Sequence, residues 1–370
     1  MIADIILCII TILLPELTKQ FQSILRRGGK SNILGPDVTF TNHRRSLIIE
    51  KMKALRFDGD SLTLAEVAIP GDEAEALVRV TRSGICNTDI EIIGGYAGFT
   101  GTIGHEFVGI VENADEVANL VGKRVVGEIN AGCGTCEKCL SGDQRHCPTR
   151  TVLGIVGRDG AHAEYLQLPS RNLIAVPDNI SDEQAVFAEP LAAAYGITEQ
   201  VDVEPATRVA VIGDGKLGLL CTMCLALRSQ NVTLVGKHSS KMEMVRNSGV
   251  DVVELVALTA SMNGNFDIVV EASGSESGFA TALDLVRPRG KIVLKSTFHG
   301  TPTWAASRVV VDEITIVGSR CGRFAPAVDL LAKGLINTEG LISDEFSLSN
   351  GVAAMEHAAK KGVLKVLLRP

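Results

Sequence analysis

The stretch VAVIGDGKLG, residues 209–218, decides the fold. Its four leading apolar residues predict a buried strand, and a G-x-G-x-x-G pattern formed by Gly213, Gly215 and Gly218 follows at once. In this pattern the first glycine permits a tight turn, the second lets the backbone approach a pyrophosphate, and the third allows close packing of helix on strand. Amides at the start of that helix bind phosphate oxygens. The stretch therefore predicts a dinucleotide site on an α/β sheet.

More apolar runs follow, at residues 232–235, 268–270 and 292–294, with helix-length stretches between them. Continuous apolar runs are typical of parallel strands that are buried on both faces. We therefore expect residues 191–324 to form a Rossmann domain with a doubly wound parallel sheet.

The chain on either side of this region has a different texture. Residues 52–190 contain short strands and turns, of which 76–80 and 124–127 are examples. Residues 325–370 predict two helices and a terminal strand at 364–368. The sequence thus indicates a β-rich domain, a Rossmann domain and a C-terminal segment.

The N-terminal residues 1–51 carry no motif. Their apolar run, residues 5–14, is too short for a membrane span, which needs about 20 apolar residues. A secretory signal would begin with positive charge, whereas the only early charge is Asp4. We expect residues 1–51 to lie outside the fold, as the product of an upstream start codon or as a targeting segment.

Composition excludes several classes of function. The chain has 370 residues and a net charge of −7, without the basic stripe that nucleic-acid binding requires. Four of its nine cysteines crowd together, which in a chain of this size favours metal ligation over disulfides and indicates a reducing compartment. We expect a cytoplasmic protein with a small-molecule substrate, no nucleic-acid partner and no stable membrane association.

The four clustered cysteines lie within residues 130–148 and are Cys133, Cys136, Cys139 and Cys147. Four thiolates on one short loop can close a tetrahedral shell around Zn²⁺ and leave no open position for catalysis. This lobe therefore predicts a structural zinc site and says nothing about the reaction.

A second group of possible ligands lies upstream, with Cys86 in GICNTD and His105 and Glu106 in GHE. Cysteine, histidine and a carboxylate suit a catalytic zinc, provided that a fourth position stays open. Either residue type alone would be weak evidence, because a lone cysteine or histidine more often belongs to a core.

Together the three motifs resemble the zinc-containing medium-chain dehydrogenase/reductase family of alcohol, polyol and threonine dehydrogenases. The resemblance spans residues 52–370 and implies a GroES-like β-barrel catalytic domain over 52–190. It also implies that residues 325–370 return to that domain, that each chain binds one catalytic and one structural Zn²⁺, and that the protein is a homodimer or homotetramer. The implied reaction moves a hydride between an alcohol and NAD(P), and which alcohol is left open.

The resemblance also implies roles for single residues. Cys86 and His105 would be ligands of the catalytic zinc, and Glu189 in AEPL would be the third. Glu106 is the competing carboxylate, and the resemblance implies that the two exchange at the metal.

Around these ligands, Thr88 stands where the family has a hydroxyl that takes the substrate proton. Asp89 would orient the zinc-bound histidine, and Leu217 would lie behind the nicotinamide. The usual relay histidine of the family is replaced by Glu91, which is either a base or a surface residue.

Two alternatives remain on the same scaffold: a zinc-free quinone reductase, and a non-catalytic NADP(H)-binding redox sensor. Fold alone cannot separate these functions, so the residues of the site must decide. The intact set of ligand residues disfavours both alternatives.

The remaining candidate residues carry less information about function. The pair Cys221 and Cys224 indicates core packing, and His162 indicates a strand edge and not a ligand. Trp304 and Phe324 are more often core residues than cleft residues.

Cofactor choice depends on the turn after the second Rossmann strand, which reads Gly236, Lys237 and His238. NAD-binding domains place an acid about 20 residues beyond the glycines to accept a bond from the ribose 2′-hydroxyl. Here the glycine makes room for a 2′-phosphate, and Lys237 can pair with it, with His238 as a further candidate. The turn favours NADP over NAD, unless Lys237 is only a solvated charge and both cofactors are accepted.

Overall fold

The computed structural model describes residues 50–72, 74–114, 118–297 and 305–370. The expectation for residues 1–51 therefore falls almost wholly outside the described residues, and that for Trp304 falls outside them as well. The first strand begins at Lys51, one residue before the start expected from the sequence.

Eighteen strands lie in the described residues. They are β1 Lys51–Phe57, β2 Leu62–Ala68, β3 Ala76–Ile85, β4 Gly101–Thr102, β5 Glu106–Asn113, β6 Arg124–Gly127, β7 Asn130–Ala131, β8 Thr151–Val152, β9 Tyr165–Leu168, β10 Leu173–Ala175, β11 Arg208–Ile212, β12 Asn231–Gly236, β13 Asp251–Glu254, β14 Phe266–Glu271, β15 Val286–Leu294, β16 Thr315–Gly318, β17 Ile342–Ser347 and β18 Lys365–Arg369.

Eleven α-helices connect these strands within the described chain. They are α1 Asn87–Ile93, α2 Glu137–Leu140, α3 Asp182–Ala185, α4 Ala188–Tyr195, α5 Ile197–Gln200, α6 Lys216–Ala226, α7 Ser239–Arg246, α8 Glu276–Leu285, α9 Ala306–Val311, α10 Phe324–Ala332 and α11 Gly351–Ala358. Among the described residues no helix combines the length and apolar character needed to cross a membrane.

A six-stranded parallel sheet forms the centre of the α/β domain. Its strand order is β13-β12-β11-β14-β15-β16, so the chain reverses its direction of winding between β11 and β14. Ligands of open α/β sheets bind at such a switch point, outside the carboxyl ends of the strands. The apolar runs of the sequence are these buried strands, and the doubly wound Rossmann fold expected from them is confirmed.

The β-rich part is built around a larger sheet of order β10-β6-β5-β3-β18-β17, in which β9 also pairs with β3. A three-stranded sheet, β2-β1-β4, and a short β7–β8 pair complete it. The C-terminal strand β18 pairs antiparallel with β3, so the end of the chain lies in the sheet that its first part builds. This pairing places β18 at the carboxyl end of β3, where Val366 pairs with Ile85, the residue before Cys86.

One strand was not anticipated from the sequence, and one side chain was misplaced. β17 was missed because it is an edge strand whose burial does not alternate regularly. His162 was expected at a strand edge, but it lies outside the strands and its side chain is fully buried. Phe324, in contrast, is a core residue at the start of α10.

Candidate functional site

The four lobe cysteines converge. Their sulfur atoms lie within 4.8 Å of one another, although the chain between the first and the last also forms helix α2. Backbone amides already face these sulfurs, since the amide of Cys136 donates to Cys133 Sγ at 3.4 Å and that of Cys133 to Cys147 Sγ at 3.4 Å. Four converging cysteine sulfurs that accept hydrogen bonds from backbone amides form the donor set of a closed tetrahedral zinc site.

A second convergence joins Cys86, His105 and Glu106, whose ligand atoms also lie within 4.8 Å of one another. Cys86 follows β3, whereas Glu106 begins β5, and the antiparallel pairing of these strands places Gly84 opposite Glu106. A local pattern on each strand thus becomes one cluster through sheet register. His105 and Glu106 are buried, and Cys86 is half-buried.

Asp89 lies behind His105. Its Oδ1 atom is 3.2 Å from His105 Nδ1, and its Oδ2 atom accepts a bond from the Cys86 amide at 2.8 Å. His162 touches the same carboxylate, with Nε2 at 3.5 Å from Oδ2, and its Nδ1 lies 2.9 Å from Ser83 Oγ. Asp89 therefore contacts the ring of one candidate ligand, His105, and accepts a hydrogen bond from the backbone of another, Cys86, which is the position that the family resemblance implies for a residue that orients a metal ligand.

Lys365 on β18 reaches the same cluster from the far end of the chain. Its ammonium group pairs with Glu106 Oε2, and both side chains are fully buried. Lys365 also donates to the Ile85 carbonyl at 3.4 Å. The other carboxylate oxygen, Glu106 Oε1, is buried and has no hydrogen-bond partner in the described part of the chain.

Glu189, the other expected carboxylate, lies at the start of α4 and within electrostatic reach of His105 and Glu106. Burial, followed by the charge of Glu106, raises the pKa of Glu189 to about 7, against the opposing effects of His105 and Lys365. Burial alone would lower the pKa of His105, but Asp89 and Cys86 raise it well above its usual value. Buried acidic groups are thus crowded at this cluster, and a bound cation would stabilise their ionised forms.

The side chains expected to handle the proton are near this cluster. Thr88 Oγ1 lies 3.8 Å from Cys86 Sγ, on the first turn of α1. Glu91 is half-buried on the same helix and accepts a bond from Asn87 Nδ2 at 3.2 Å. Both expected roles for Glu91 remain open.

The glycine pattern forms the turn between β11 and α6. Gly213 has a positive φ of 118°, and a Cβ at Gly218 would overlap the Gly213 carbonyl oxygen, so both positions require glycine. Gly215 is exposed, and a Cβ there would meet nothing within 4 Å. It therefore leaves open space at the amino end of α6, where phosphates bind. Leu217 is half-buried and packs against the core.

One contact joins the glycine turn to the metal-type cluster. Lys216, the first residue of α6, donates from Nζ to the Ile85 carbonyl at 3.0 Å, and Ile85 immediately precedes Cys86. Burial, followed by repulsion from Lys365, lowers the pKa of Lys216. Helix α6, whose amino end is the expected phosphate site, thus contacts the residue that immediately precedes a candidate metal ligand.

At the end of β12 the structure corrects one premise of the sequence analysis. Gly236 does not leave open room, because Asp214 from the glycine turn fills it. Asp214 Oδ2 accepts bonds from the amides of Lys237 at 2.7 Å and His238 at 2.6 Å, and lies 2.9 Å from His238 Nδ1. The turn that was expected to lack an acid therefore contains one, which weakens the argument for NADP.

Four contributors were missed from the sequence: Lys365, Lys216, His162 and Asp214. Lys365 had a detectable signal, since it is a lysine directly followed by three apolar residues in the terminal strand KVLLR. Asp214 and Lys216 stand inside the glycine pattern, where only the glycines carried information. His162 gave no sequence signal, because its partners Ser83 and Asp89 are more than 70 residues away.

These observations define a class of protein: a dinucleotide-binding α/β fold joined to a β-rich domain with two metal-type clusters. Two family models match the chain, an alcohol dehydrogenase GroES-like domain over residues 72–178 and a zinc-binding dehydrogenase over residues 217–333. The chain belongs to the zinc-type medium-chain dehydrogenase/reductase family, and it is an oxidoreductase of the kind that acts on CH–OH donors.

Two of its relatives are dehydrogenases of sugar alcohols. D-arabinitol dehydrogenase 1 of Uromyces fabae is 30% identical over 319 residues, which cover 81% of this chain and 91% of that protein. Sorbitol dehydrogenase of Halalkalibacterium halodurans is 30% identical over 314 residues, covering 79% of this chain and 91% of that protein. A structure of RspB from Escherichia coli in complex with NADH superposes with a TM-score of 0.79 at 28% identity, covering 86% of this chain and 99% of the other.

Proposed function

We propose that this protein is a zinc-dependent dehydrogenase that transfers a hydride between a polyol-type alcohol and a nicotinamide cofactor. The observation that carries the proposal is the meeting of the two motifs: the cluster of Cys86, His105 and Glu106 lies one residue from the carbonyl that Lys216 of the glycine turn contacts. A redox reaction between a metal-held alcohol and a nicotinamide needs this proximity. The polyol class is supported by the relatives that act on D-arabinitol and sorbitol.

The residues fit zinc at both clusters. At the candidate catalytic cluster, a thiol, an imidazole and a carboxylate converge, and Glu106 Oε1 is buried with no hydrogen-bond partner in the described chain. We assign Cys86, His105 and Glu189 or Glu106 to the catalytic ion, and the four lobe cysteines to the structural ion. A zinc ion at the first cluster would act as a Lewis acid that stabilises the alkoxide form of the substrate.

The chain's own residues supply position and proton transfer. Asp89 fixes the ring of His105 and the backbone of Cys86, so the ligand geometry is set before substrate arrives. Thr88 offers the hydroxyl nearest to Cys86 Sγ for the substrate proton. Lys365 holds Glu106 Oε2. Glu189 would be the third ligand wherever Glu106 stays with Lys365, although Glu106 and not Glu189 converges with Cys86 and His105 within 4.8 Å. Both NAD and NADP fall within the proposed function, because the turn after β12 has the Asp214 carboxylate and the Lys237 ammonium group.

The test is metal analysis coupled to an activity screen. We expect two zinc ions per chain by mass spectrometry of the metal, and growth of absorbance at 340 nm with D-arabinitol, sorbitol or a related polyol and NAD or NADP. Cys86→Ala should lose about one zinc equivalent and nearly all turnover while it stays folded. Its matched control is Cys321→Ala, which lies outside both clusters and should keep both ions.

Activity in fully loaded protein with at most one zinc per chain would overturn the zinc assignment. Reduction of quinones by NADPH without any alcohol activity would instead support the zinc-free alternative. Cytoplasmic location and a homodimer or homotetramer remain predictions, which cell fractionation and light scattering would check.

A further inference from the structure

Asp214 stands between the first two glycines of the pattern, yet its side chain serves a different part of the domain. It is largely buried, with 8% of its surface exposed, and it folds back on the end of β12. All three of its hydrogen-bond contacts fall on Oδ2: the amides of Lys237 and His238, and the ring of His238. The second oxygen, Oδ1, has no hydrogen-bond partner in the described part of the chain.

The end of β12 is the place where Rossmann domains distinguish their cofactors. The adenosine ribose lies over this strand end, about 20 residues after the glycines, and its 2′-hydroxyl donates to an acid there. A 2′-phosphate at the same place needs backbone amides and cations as partners. In this chain, Asp214 Oδ2 already accepts hydrogen bonds from two backbone amides at this place and contacts the imidazole of His238.

The charge of Asp214 matters as much as its position. Burial works against ionisation, but bonds from the His238 and Lys237 amides lower the pKa of Asp214 below its usual value. The side chain is thus a carboxylate at neutral pH. A 2′-phosphate is itself an anion, and like charges at close range oppose binding.

Gly236 fits this arrangement. A Cβ there would come within 2.7 Å of both Asp214 Cβ and Met242 Sδ. The strand therefore ends in glycine because the acid from the glycine turn packs against it, and the space is not held open for a phosphate. Other Rossmann domains have an acidic residue at the end of the second strand. Here Asp214 of the glycine turn places its carboxylate at the same position.

We propose that Asp214 makes this protein select NAD over NADP. This inference rests on the proposed use of a nicotinamide cofactor. Asp214 Oδ2 occupies the donors that a 2′-phosphate would require, and Oδ1 accepts a hydrogen bond from the ribose 2′-hydroxyl. Lys237 and His238 then hold the carboxylate in place and do not bind phosphate.

The experiment measures cofactor binding directly, in the absence of alcohol. Purified full-length protein is titrated with NADH and with NADPH, and binding is followed by nicotinamide fluorescence. We expect the Kd for NADH to be at least about tenfold below that for NADPH. Asp214→Asn keeps the shape and removes the charge, so it should reduce the ratio of the two Kd values by about tenfold or more.

The matched control is Asp329→Asn, which removes one negative charge from an exposed ion pair with Lys333 on α10 and should leave the ratio unchanged. Asp214→Glu retains the charge and should still disfavour NADPH, and circular dichroism checks that each variant folds. If Asp214→Asn does not fold, the Kd ratios of the unaltered protein and of Asp214→Glu decide the matter.

Equal or tighter binding of NADPH by the unaltered protein would overturn the inference alone. An unchanged ratio in folded Asp214→Asn would do the same. Failure to bind either nucleotide would overturn the proposed function itself and the inference with it, so the two failures are distinguishable.

Discussion

Gly236 ends β12 without room for a side chain, since a Cβ would lie 2.7 Å from Asp214 Cβ and from Met242 Sδ. From the sequence, this glycine was expected to make room for a cofactor phosphate. The packing changes that expectation, because any side chain at residue 236 must first displace Asp214.

We predict that Gly236→Ala destabilises the protein by about 1–3 kcal/mol, the usual cost of inserting a carbon into a packed site. Urea unfolding followed by circular dichroism would measure the change in the free energy of unfolding.

Gly318 provides the matched control for this prediction. It also ends a strand of the parallel sheet, and a Cβ there meets nothing within 4 Å. Gly318→Ala should be neutral or slightly stabilising, because alanine lowers the entropy of the unfolded chain. Equal losses of stability in the two variants would contradict the packing argument for Gly236.

At the scale of elements, helix α6 contains a pair of cysteines with the spacing of a redox motif, yet both belong to the hydrophobic core. Its Cys221 and Cys224 form a C-x-x-C, but they are 0% and 2% exposed and belong to the main hydrophobic cluster. Burial raises the pKa of Cys221 to about 11 and also raises that of Cys224. Because the thiolate is the reactive form, burial of this helix face makes both residues inert.

We therefore predict that neither cysteine reacts with iodoacetamide at pH 8 in the folded protein. Peptide mass spectrometry would check this, and the same peptides should be labelled fully after unfolding in guanidinium chloride. Raising the pH towards 11 increases the thiolate fraction of Cys221, so any native labelling should appear only there. Rapid native labelling at pH 8, or a disulfide between the two, would restore a redox role.

At the scale of the whole molecule, β18 joins the C-terminus to the candidate site. Lys365 and Glu106 form an ion pair whose side chains are both fully buried, across 259 residues of chain. Breaking a buried pair by removing one partner is costly, because the other charge remains without compensation. We predict that Lys365→Met lowers the free energy of unfolding by about 3–5 kcal/mol.

Chemical denaturation of three variants would test this prediction. Lys361→Met, at an exposed position four residues earlier, is the control and should have little effect. The double variant Glu106→Gln with Lys365→Met removes both charges and should lose less stability than Lys365→Met alone. A single variant as stable as the control would show that this ion pair contributes little to the fold.

Much of this molecule is encoded locally, and those features were predictable from the sequence. The glycine pattern predicts a turn with one strand and one helix, and continuous apolar runs predict strands buried on both faces. The four lobe cysteines are likewise close in sequence, so short spacing alone nearly determines their convergence. Cys86 and the His105–Glu106 pair required the family resemblance, because they lie on separate strands.

What only the tertiary structure decided are the contacts between residues that are distant in sequence. Lys365 meets Glu106, His162 meets Asp89, and Asp214 reaches the amides after β12, and no spacing in the sequence specifies these pairs. The physical reason is that a one-residue change of register or a different packing would give each side chain another neighbour. The sequence therefore determined the fold class and the kinds of candidate ligand, whereas packing decided which charges face one another around the candidate cofactor and metal sites.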